Sequence, residues 1–253
     1  MGVLESIGIR IIMDVGKGAI KLVPHAIAKQ RVQKFFGKSV FGDDFYIVID
    51  PYEHPIPRST MRIPQNRYVK KFFGRKPDGG LIGEDKVLGS CHLRTINYAI
   101  SFFAKFRNPL NPIKIVFDED VLNIWDGGFL CIGSADSNIK TYDIEKLKEN
   151  NFYSLSWNEN GGRCFDVRGT IYNIENNEDV GLLIKLRNPR HAEHALFLCQ
   201  GLGEWGSSGA VYYLFHNFIN IYKSAKGKDF CKVIRTRIGS DDSAHEIVHI
   251  SEQ

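Results

Sequence analysis

The chain lacks several patterns that identify common classes of protein. It has no run of roughly 18 or more consecutive apolar residues, so no ordinary transmembrane helix is expected. Charged residues interrupt the apolar stretch 7–18, so a secretory signal peptide is not expected. The motifs HExxH, G-x-S-x-G and G-x-x-x-x-G-K-[ST] are missing, so the sequence does not indicate a zinc protease, a serine hydrolase or a P-loop enzyme.

Cysteine is sparse, and no two cysteines are close enough in sequence for a Cys-x-x-Cys pair. Four of the five fall in predicted strands, where cysteine usually behaves as a small buried apolar residue. We therefore expect a reducing, cytoplasmic setting without disulfides. His191 and His194 have no evident third ligand nearby, so no metal site is predicted.

Excess positive charge is confined to the start of the chain. Residues 1–40 contain seven basic and two acidic residues, whereas the net charge of the whole chain is only +4. Residues 3–23 also carry apolar side chains at helical spacing, which predicts a basic amphipathic arm over 1–40. Such an arm attaches to an anionic membrane surface or a protein partner, or it packs on its own domain.

The most informative segment is an apolar run, a glycine-rich turn and a second apolar segment, over residues 194–215. It predicts a strand, a loop at Gly201–Gly209 and a helix. A glycine loop at a helix start presents unpaired N–H groups and a partial positive charge to an anion. The predicted ligand-binding residues of this loop are Gly201, Gly203, Gly206, Ser207 and Ser208. The alternative is a tight turn whose glycines only permit close packing.

A second strand-to-helix turn, over residues 133–138, carries small polar residues. Its candidate ligand-binding residues are Gly133, Ser134, Ser137 and Asn138. Ser137 or Asn138 would also serve as the N-cap of the helix that follows. Two such loops side by side would hold a phosphate and a ribose at the carboxyl ends of parallel strands.

Three carboxylates are candidates for catalysis: Glu204 inside the glycine loop, and Asp50 and Asp118 at the ends of predicted strands. A carboxylate beside a bound ribose supports cleavage of an N-glycosidic bond, because it stabilises positive charge at the anomeric carbon or activates water. The alternative for each is a turn or capping role.

A basic segment lies within a long connection over residues 58–80. Residues 58–76 hold seven basic residues and no acidic one, among them Arg67 and Lys70. This segment is interpreted as a lid that contacts phosphates through Arg67 and Lys70, as a surface for membrane or nucleic acid, or as a solvated loop.

Strands alternate with helices in the first part of the body and again at the glycine loop. This order favours an α/β fold with a three-layer Rossmann-like core, a mostly parallel sheet, an antiparallel edge and a hairpin insertion. We place this domain at 41–253, with a β-meander insertion over 152–190, and the helical arm before it.

The Gly201–Gly209 loop between strand and helix resembles the nucleotide loop of the lysine-decarboxylase-like phosphoribohydrolases and related Rossmann-like sensor domains. In that family a Pro-Gly-Gly-x-Gly-Thr run contacts the nucleotide phosphate, and a glutamate on the following helix helps cleave the glycosidic bond. The resemblance assigns the phosphate contact to Gly203, Gly206 and Ser207. Here no Pro-Gly-Gly is present, and Glu204 and Trp205 lie within the loop.

These observations predict a domain that binds or senses a nucleotide or a related phosphorylated small molecule, with a nucleotide or NAD as ligand. One alternative is a nucleotide N-glycosidase or NAD-consuming hydrolase. Another is a protein-interaction domain without a ligand. Nucleic acid is not an expected partner. The expected location is cytoplasmic, with the arm on a membrane surface as a variant.

Overall fold

The computed structural model describes residues 25–50, 74–75, 81–82, 88–107, 113–147, 150–159 and 161–252. Within these residues the chain is an α/β protein, as the sequence predicts. Its helices are α1 over 25–36, α2 Ser90–Phe103, α3 Ile139–Glu145, α4 Glu204–His216 and α5 Phe218–Ala225. Its strands are β1 Phe45–Ile49, β2 Gly74–Arg75, β3 Leu81–Ile82, β4 Lys114–Phe117, β5 Gly128–Ile132, β6 Tyr153–Trp157, β7 Arg163–Val167, β8 Thr170–Tyr172, β9 Glu178–Arg187, β10 Ala195–Gly201, β11 Phe230–Arg237 and β12 His245–Ser251.

The central feature is a mixed seven-stranded sheet in the order β12-β11-β9-β10-β5-β1-β4. Strands β4, β1, β5 and β10 are parallel neighbours. Strands β9, β11 and β12 each pair antiparallel with the strand beside them. Five of the seven strands therefore point the same way, which confirms the predicted mostly parallel sheet with an antiparallel edge.

Alternate side chains of the central strands enter two separate hydrophobic clusters, one on each face of the sheet. In β1, Ile47 joins the cluster that contains side chains of α1, α2, α4 and α5, whereas Val48 joins the cluster on the opposite face. That second face is covered by α3 and by the three-stranded antiparallel sheet β6-β7-β8. The period of two along each strand produces this division, because successive side chains leave a strand on opposite faces.

Helix α1 is part of the domain core. Val32 and Phe36 are fully buried in it, and Phe36 packs between the rings of Phe103 and Phe197. The portion of the predicted arm that the structure describes therefore packs on its own domain. Residues 1–24, with the predicted amphipathic helix, lie outside the described residues, so membrane or partner attachment stays a prediction. No helix in the described part of the chain has the length and apolarity needed to cross a bilayer.

Two elements differ from the sequence prediction. Apolar residues over 84–106 predict one long helix, whereas the helix begins at Ser90 and residues 88–89 are not helical. The predicted 152–190 insertion ends its meander at β8, because β9 lies inside the main sheet between β10 and β11. Hydrophobic runs identify strands, but the choice of pairing partner is a tertiary property.

Helix α4 lies unusually close to the sheet. A β-carbon at Gly209 would overlap Oγ1 of Thr236, a fully buried residue of β11. At Gly206 a β-carbon would overlap the carbonyl oxygen of Val180 in β9. The glycines of the first turns of α4 therefore permit direct contact between helix backbone and strands, which is the packing role left open by the sequence.

We expect Gly209→Ala to lower the free energy of unfolding by about 1–3 kcal/mol, since an added methyl group in a closely packed interior forces strain. Urea unfolding followed by circular dichroism measures this change. The matched control is Gly42→Ala, where the nearest atom, Ser39 O, would lie 3.5 Å from the new methyl carbon. Equal urea midpoints for the two variants would contradict the close packing of α4.

Candidate functional site

A cavity of about 230 Å³ lies at the carboxyl ends of β1, β5 and β10. The chain leaves β1 towards β4 on one side and later returns to place β5 on the other side, so the strand order reverses between β1 and β5. In open α/β sheets this reversal leaves a crevice in which ligands bind. The residues that line the cavity are Asp50, Cys91, His92, Ile132, Gly133, Ser134, Ser137, Arg163, Gly201, Gly203, Glu204 and Ser207.

Asp50 follows directly after β1 and forms a buried pair with His92 of α2. His92 Nε2 lies 2.9 Å from Asp50 Oδ1, and both side chains are less than a tenth exposed. The backbone N–H of Gly89 donates to His92 Nδ1 over 3.2 Å. Because Nδ1 accepts this hydrogen bond, the proton of a neutral imidazole is on Nε2 and points at Asp50. His92 therefore orients the Asp50 carboxylate.

Gly133, directly after β5, leaves room for the Asp50 carboxylate because it has no side chain. Its φ of +112° is a backbone conformation that favours glycine, and a β-carbon there would lie 2.7 Å from Asp50 Oδ1. Ser134 and Ser137 follow in the same turn, and both line the cavity. The sequence-predicted turn at 133–138 and the predicted carboxylate Asp50 are thus brought together.

Arg163 reaches the cavity from β7 of the small sheet. Its Nη2 donates to Ser134 Oγ over 2.6 Å, to Asp136 Oδ1 over 3.0 Å and to Gly201 O over 3.3 Å. One guanidinium therefore joins the small sheet, the turn after β5 and the end of β10. Its Nε is buried and has no hydrogen-bond partner among the described residues.

The glycine loop does not present free amides to a ligand at its centre. The carboxylate of Asp179 accepts hydrogen bonds from the N–H groups of Gly203 at 3.0 Å, Gly206 at 2.7 Å and Val180 at 2.7 Å. Asp179 is 2% exposed, and burial raises the pKa of its carboxyl while the amide hydrogen bonds oppose that rise. A carboxylate of the chain itself thus occupies the position that the sequence analysis gave to a phosphate.

Residues of the glycine loop also line the cavity. Gly201, Gly203 and Ser207 line it, and no described residue bonds the Ser207 hydroxyl. Glu204, in the first turn of α4, is exposed at the cavity and accepts a hydrogen bond of 3.1 Å from Ser90 Oγ. The loop therefore supplies side-chain oxygens rather than an amide cradle.

Cys91 stands next to His92 at the start of α2 and also lines the cavity. Burial raises the pKa of its thiol to about 12, against a smaller opposing effect of Arg94. The thiol is therefore protonated near neutral pH, and it lacks the thiolate character of a cysteine nucleophile.

Several predicted site residues have structural roles instead. Asn138 is the N-cap of α3 and accepts from the Thr141 N–H. Asp118 accepts from the Ile139 N–H at the same helix start, and burial raises its pKa. Ser208 donates to Asp241, which also accepts from Arg94.

None of these three residues, nor Gly206, lines the cavity. Arg67 and Lys70 lie outside the described residues, so the predicted lid stays a prediction.

His92, Arg163 and Asp179 are important to the site but were not predicted from the sequence. The partners in these contacts are separated by 42 residues for His92 and Asp50, 38 for Arg163 and Gly201, and 24 for Asp179 and Gly203. No local pattern indicates such pairs. The one available signal is that Asp179 directly precedes the apolar run of β9. An acidic residue at the start of a strand lies close to the loops at that end of the sheet.

We expect Asp179→Asn to lower the free energy of unfolding by about 2 kcal/mol or more. The amide side chain has no negative charge, and its NH₂ group would face a backbone N–H that the carboxylate now accepts. Denaturant unfolding measures the change. Asp166→Asn is the control, because Asp166 accepts one amide, from Gly169, at an exposed turn. If both variants lose the same stability, Asp179 does not anchor α4.

No protein-family model matches this chain, and no curated protein matches it. The chemistry of the cavity is therefore the basis on which a function is assigned.

Proposed function

We propose that the cavity binds the ribose of a nucleotide or of a related phosphorylated small molecule. The observation that carries this proposal is the Asp50 carboxylate at the strand-order reversal, with one oxygen bonded to His92. No described residue donates to its second oxygen, Oδ2, although the residue is only 6% exposed. Asp50 lines the cavity, so a ligand there can donate a hydrogen bond to this oxygen, and sugar hydroxyls are such donors.

The other polar groups of the cavity suit a sugar as well. The Ser207 hydroxyl accepts and donates, and the Ser137 hydroxyl, which donates to Ser134 O over 3.2 Å, has lone pairs left. The buried Nε of Arg163 needs an acceptor, such as a ring or hydroxyl oxygen. A pentose provides both donors and acceptors around one small ring, which matches this mixed set.

Size and charge favour the sugar over the phosphate as the enclosed part. The cavity of about 230 Å³ is smaller than the roughly 300–1,000 Å³ sites of drug-sized ligands, so a base and a phosphate would extend outside it. Asp50 and Glu204 both line it, and the charge of Arg163 is already paired with Asp136. A phosphate inside would lie close to two carboxylates, and like charges at short distance repel each other.

We also infer that the fold is a variant of the Rossmann-like three-layer architecture. The support is the order β4-β1-β5-β10, in which the first strand lies between the second and third, as in doubly wound folds. In this variant α3 and the β6-β7-β8 sheet form the third layer. The resemblance to nucleotide-binding sensor domains is in keeping with this proposal, but the phosphate contact assigned to Gly203 and Gly206 is not part of it.

We expect Asp50→Asn to weaken binding of ribose 5-phosphate by about tenfold or more, because a charge-assisted hydrogen bond to a sugar hydroxyl is lost. Isothermal titration calorimetry of ribose 5-phosphate, AMP and inorganic phosphate measures it. The control is Asp44→Asn, an exposed residue at the amino end of the same strand.

Two outcomes contradict the proposal. In one, none of the three probes binds the unmodified protein, which favours an interaction domain without a ligand. In the other, Asp50→Asn and Asp44→Asn bind ribose 5-phosphate equally well.

Hydrolysis of an N-glycosidic bond is the second candidate function, and the presence of two carboxylates in one cavity favours it. Asp50 is buried and Glu204 is exposed to water, so one suits stabilisation of positive charge at the anomeric carbon and the other suits activation of water. The water oxygen would form a bond to the anomeric carbon as the bond from that carbon to the nucleobase nitrogen breaks. The proton of the water would leave with the departing nucleobase.

For this activity we expect Glu204→Gln to reduce turnover by about a hundredfold while ligand binding is retained, since a general base has been removed. Chromatography of free base released from AMP or NAD measures turnover. Glu252→Gln, an exposed residue beyond β12, is the control. No release of base by the unmodified protein, with binding intact, would leave ligand sensing as the function.

A further inference from the structure

The small sheet carries a tryptophan beside the cavity residue Arg163. Strands β6 and β7 are antiparallel, and Trp157 is directly opposite Arg163. Directly opposed residues of antiparallel strands leave the sheet on the same face, with Cβ atoms about 4.5–5.5 Å apart. Arg163 Nη2 reaches Ser134 Oγ, so Trp157 lies one cross-strand position from a residue that lines the cavity.

Trp157 is exposed although it leaves the inward face of the small sheet. Tyr153 and Leu155 precede it at intervals of two and belong to the hydrophobic cluster against the main sheet. Trp157 itself is 66% exposed. The inward face of the small sheet is therefore covered at Tyr153 and open at Trp157, the strand position opposite Arg163.

The other two tryptophans of the chain are covered by cations. The guanidinium of Arg94 lies 3.9 Å from the ring centroid of Trp205, and Lys140 Nζ lies 3.9 Å from that of Trp125. Trp157 has no ring or cation contact with a described residue. Of the three tryptophans, Trp157 is the one whose indole is mostly exposed and has no ring or cation contact in the described part of the chain.

The exposed indole is separate from the apolar surface on the other side of the small sheet. Ile171 is also exposed, but it is opposite Asp166, whose neighbours Phe165 and Val167 point inward. Ile171 therefore leaves the outer face and Trp157 the inner one. Trp157 and Ile171 therefore do not form one continuous apolar patch of the kind that binds proteins.

We propose that Trp157 is the stacking platform for the planar base of the ligand whose ribose the cavity holds. This inference rests on the proposed function and narrows its ligand class from sugar phosphates to nucleosides and nucleotides. A base attached to a sugar in a cavity of this size has to lie outside it, and a tryptophan face is the strongest aromatic partner for such a ring. The position of Trp157 next to Arg163 provides that face at the rim.

Calorimetry with AMP and ribose 5-phosphate tests the platform, because the two probes differ by the base. We expect Trp157→Ala to weaken AMP binding by about tenfold and to leave ribose 5-phosphate binding unchanged. Trp157→Phe keeps a smaller aromatic face and is expected to retain most of the AMP affinity. Ile171→Ala, on the outer face of the same sheet, is the control and should change neither.

Fluorescence gives an independent readout. AMP is expected to quench the tryptophan emission of the unmodified protein, ribose 5-phosphate is not, and the quenching should be absent in Trp157→Phe. Thermal unfolding of each variant shows whether the fold is retained.

If AMP and ribose 5-phosphate bind the unmodified protein with equal affinity, and Trp157→Ala changes neither affinity, the proposal that Trp157 stacks on the base is wrong. The proposed sugar site is then retained. If neither probe binds the unmodified protein, the proposed function fails, and the platform fails with it.

Discussion

A single buried carboxylate holds the start of α4 on the sheet, and the shape of the site depends on it. Asp179 accepts hydrogen bonds from the N–H groups of Gly203, the N-cap, and Gly206, in the first turn of the helix. A helix start has unpaired amides and a partial positive charge, and a carboxylate satisfies both. Because this carboxylate belongs to the start of β9, its hydrogen bonds fix the helix directly on the sheet.

The close contact between α4 and the sheet explains the number of glycines in this segment. Gly206 and Gly209 lie where a β-carbon would overlap Val180 O and Thr236 Oγ1. In many nucleotide-binding folds glycines at this position let a phosphate approach the backbone, whereas here they let the backbone of the helix approach two strands. The same residue pattern therefore serves packing, and the anion position is filled from within the chain.

Polar side chains give the candidate cavity its chemical character. Asp50 is oriented by His92, Arg163 is shared among three elements, and Ser207 lines the cavity. A site with two carboxylates and one paired guanidinium is better suited to hydroxyl groups than to a second anion. The small sheet contributes both Arg163 and Trp157, so the layer predicted as an insertion is a wall of the site.

The sequence by itself determined the local elements and most of the loops that meet at the cavity. Apolar patterns identified the strand–turn–helix unit at the glycine loop and the antiparallel strands that begin the 152–190 segment, because periods of two and 3.6 are local properties of the chain. Asp50, Ser134 and Ser207 were predicted as site residues because parallel strands end at one edge of a sheet.

Only the tertiary structure decided which polar groups of these loops are already bonded within the chain. The pairing of Asp179 with the loop amides, of His92 with Asp50, and of Arg163 with Ser134 joins residues far apart in the chain. Strand order and crossovers set these contacts, and a linear pattern contains neither. Whether a glycine loop binds an anion depends on what already occupies its amides, and that is settled by the residue that the folded sheet places in front of it.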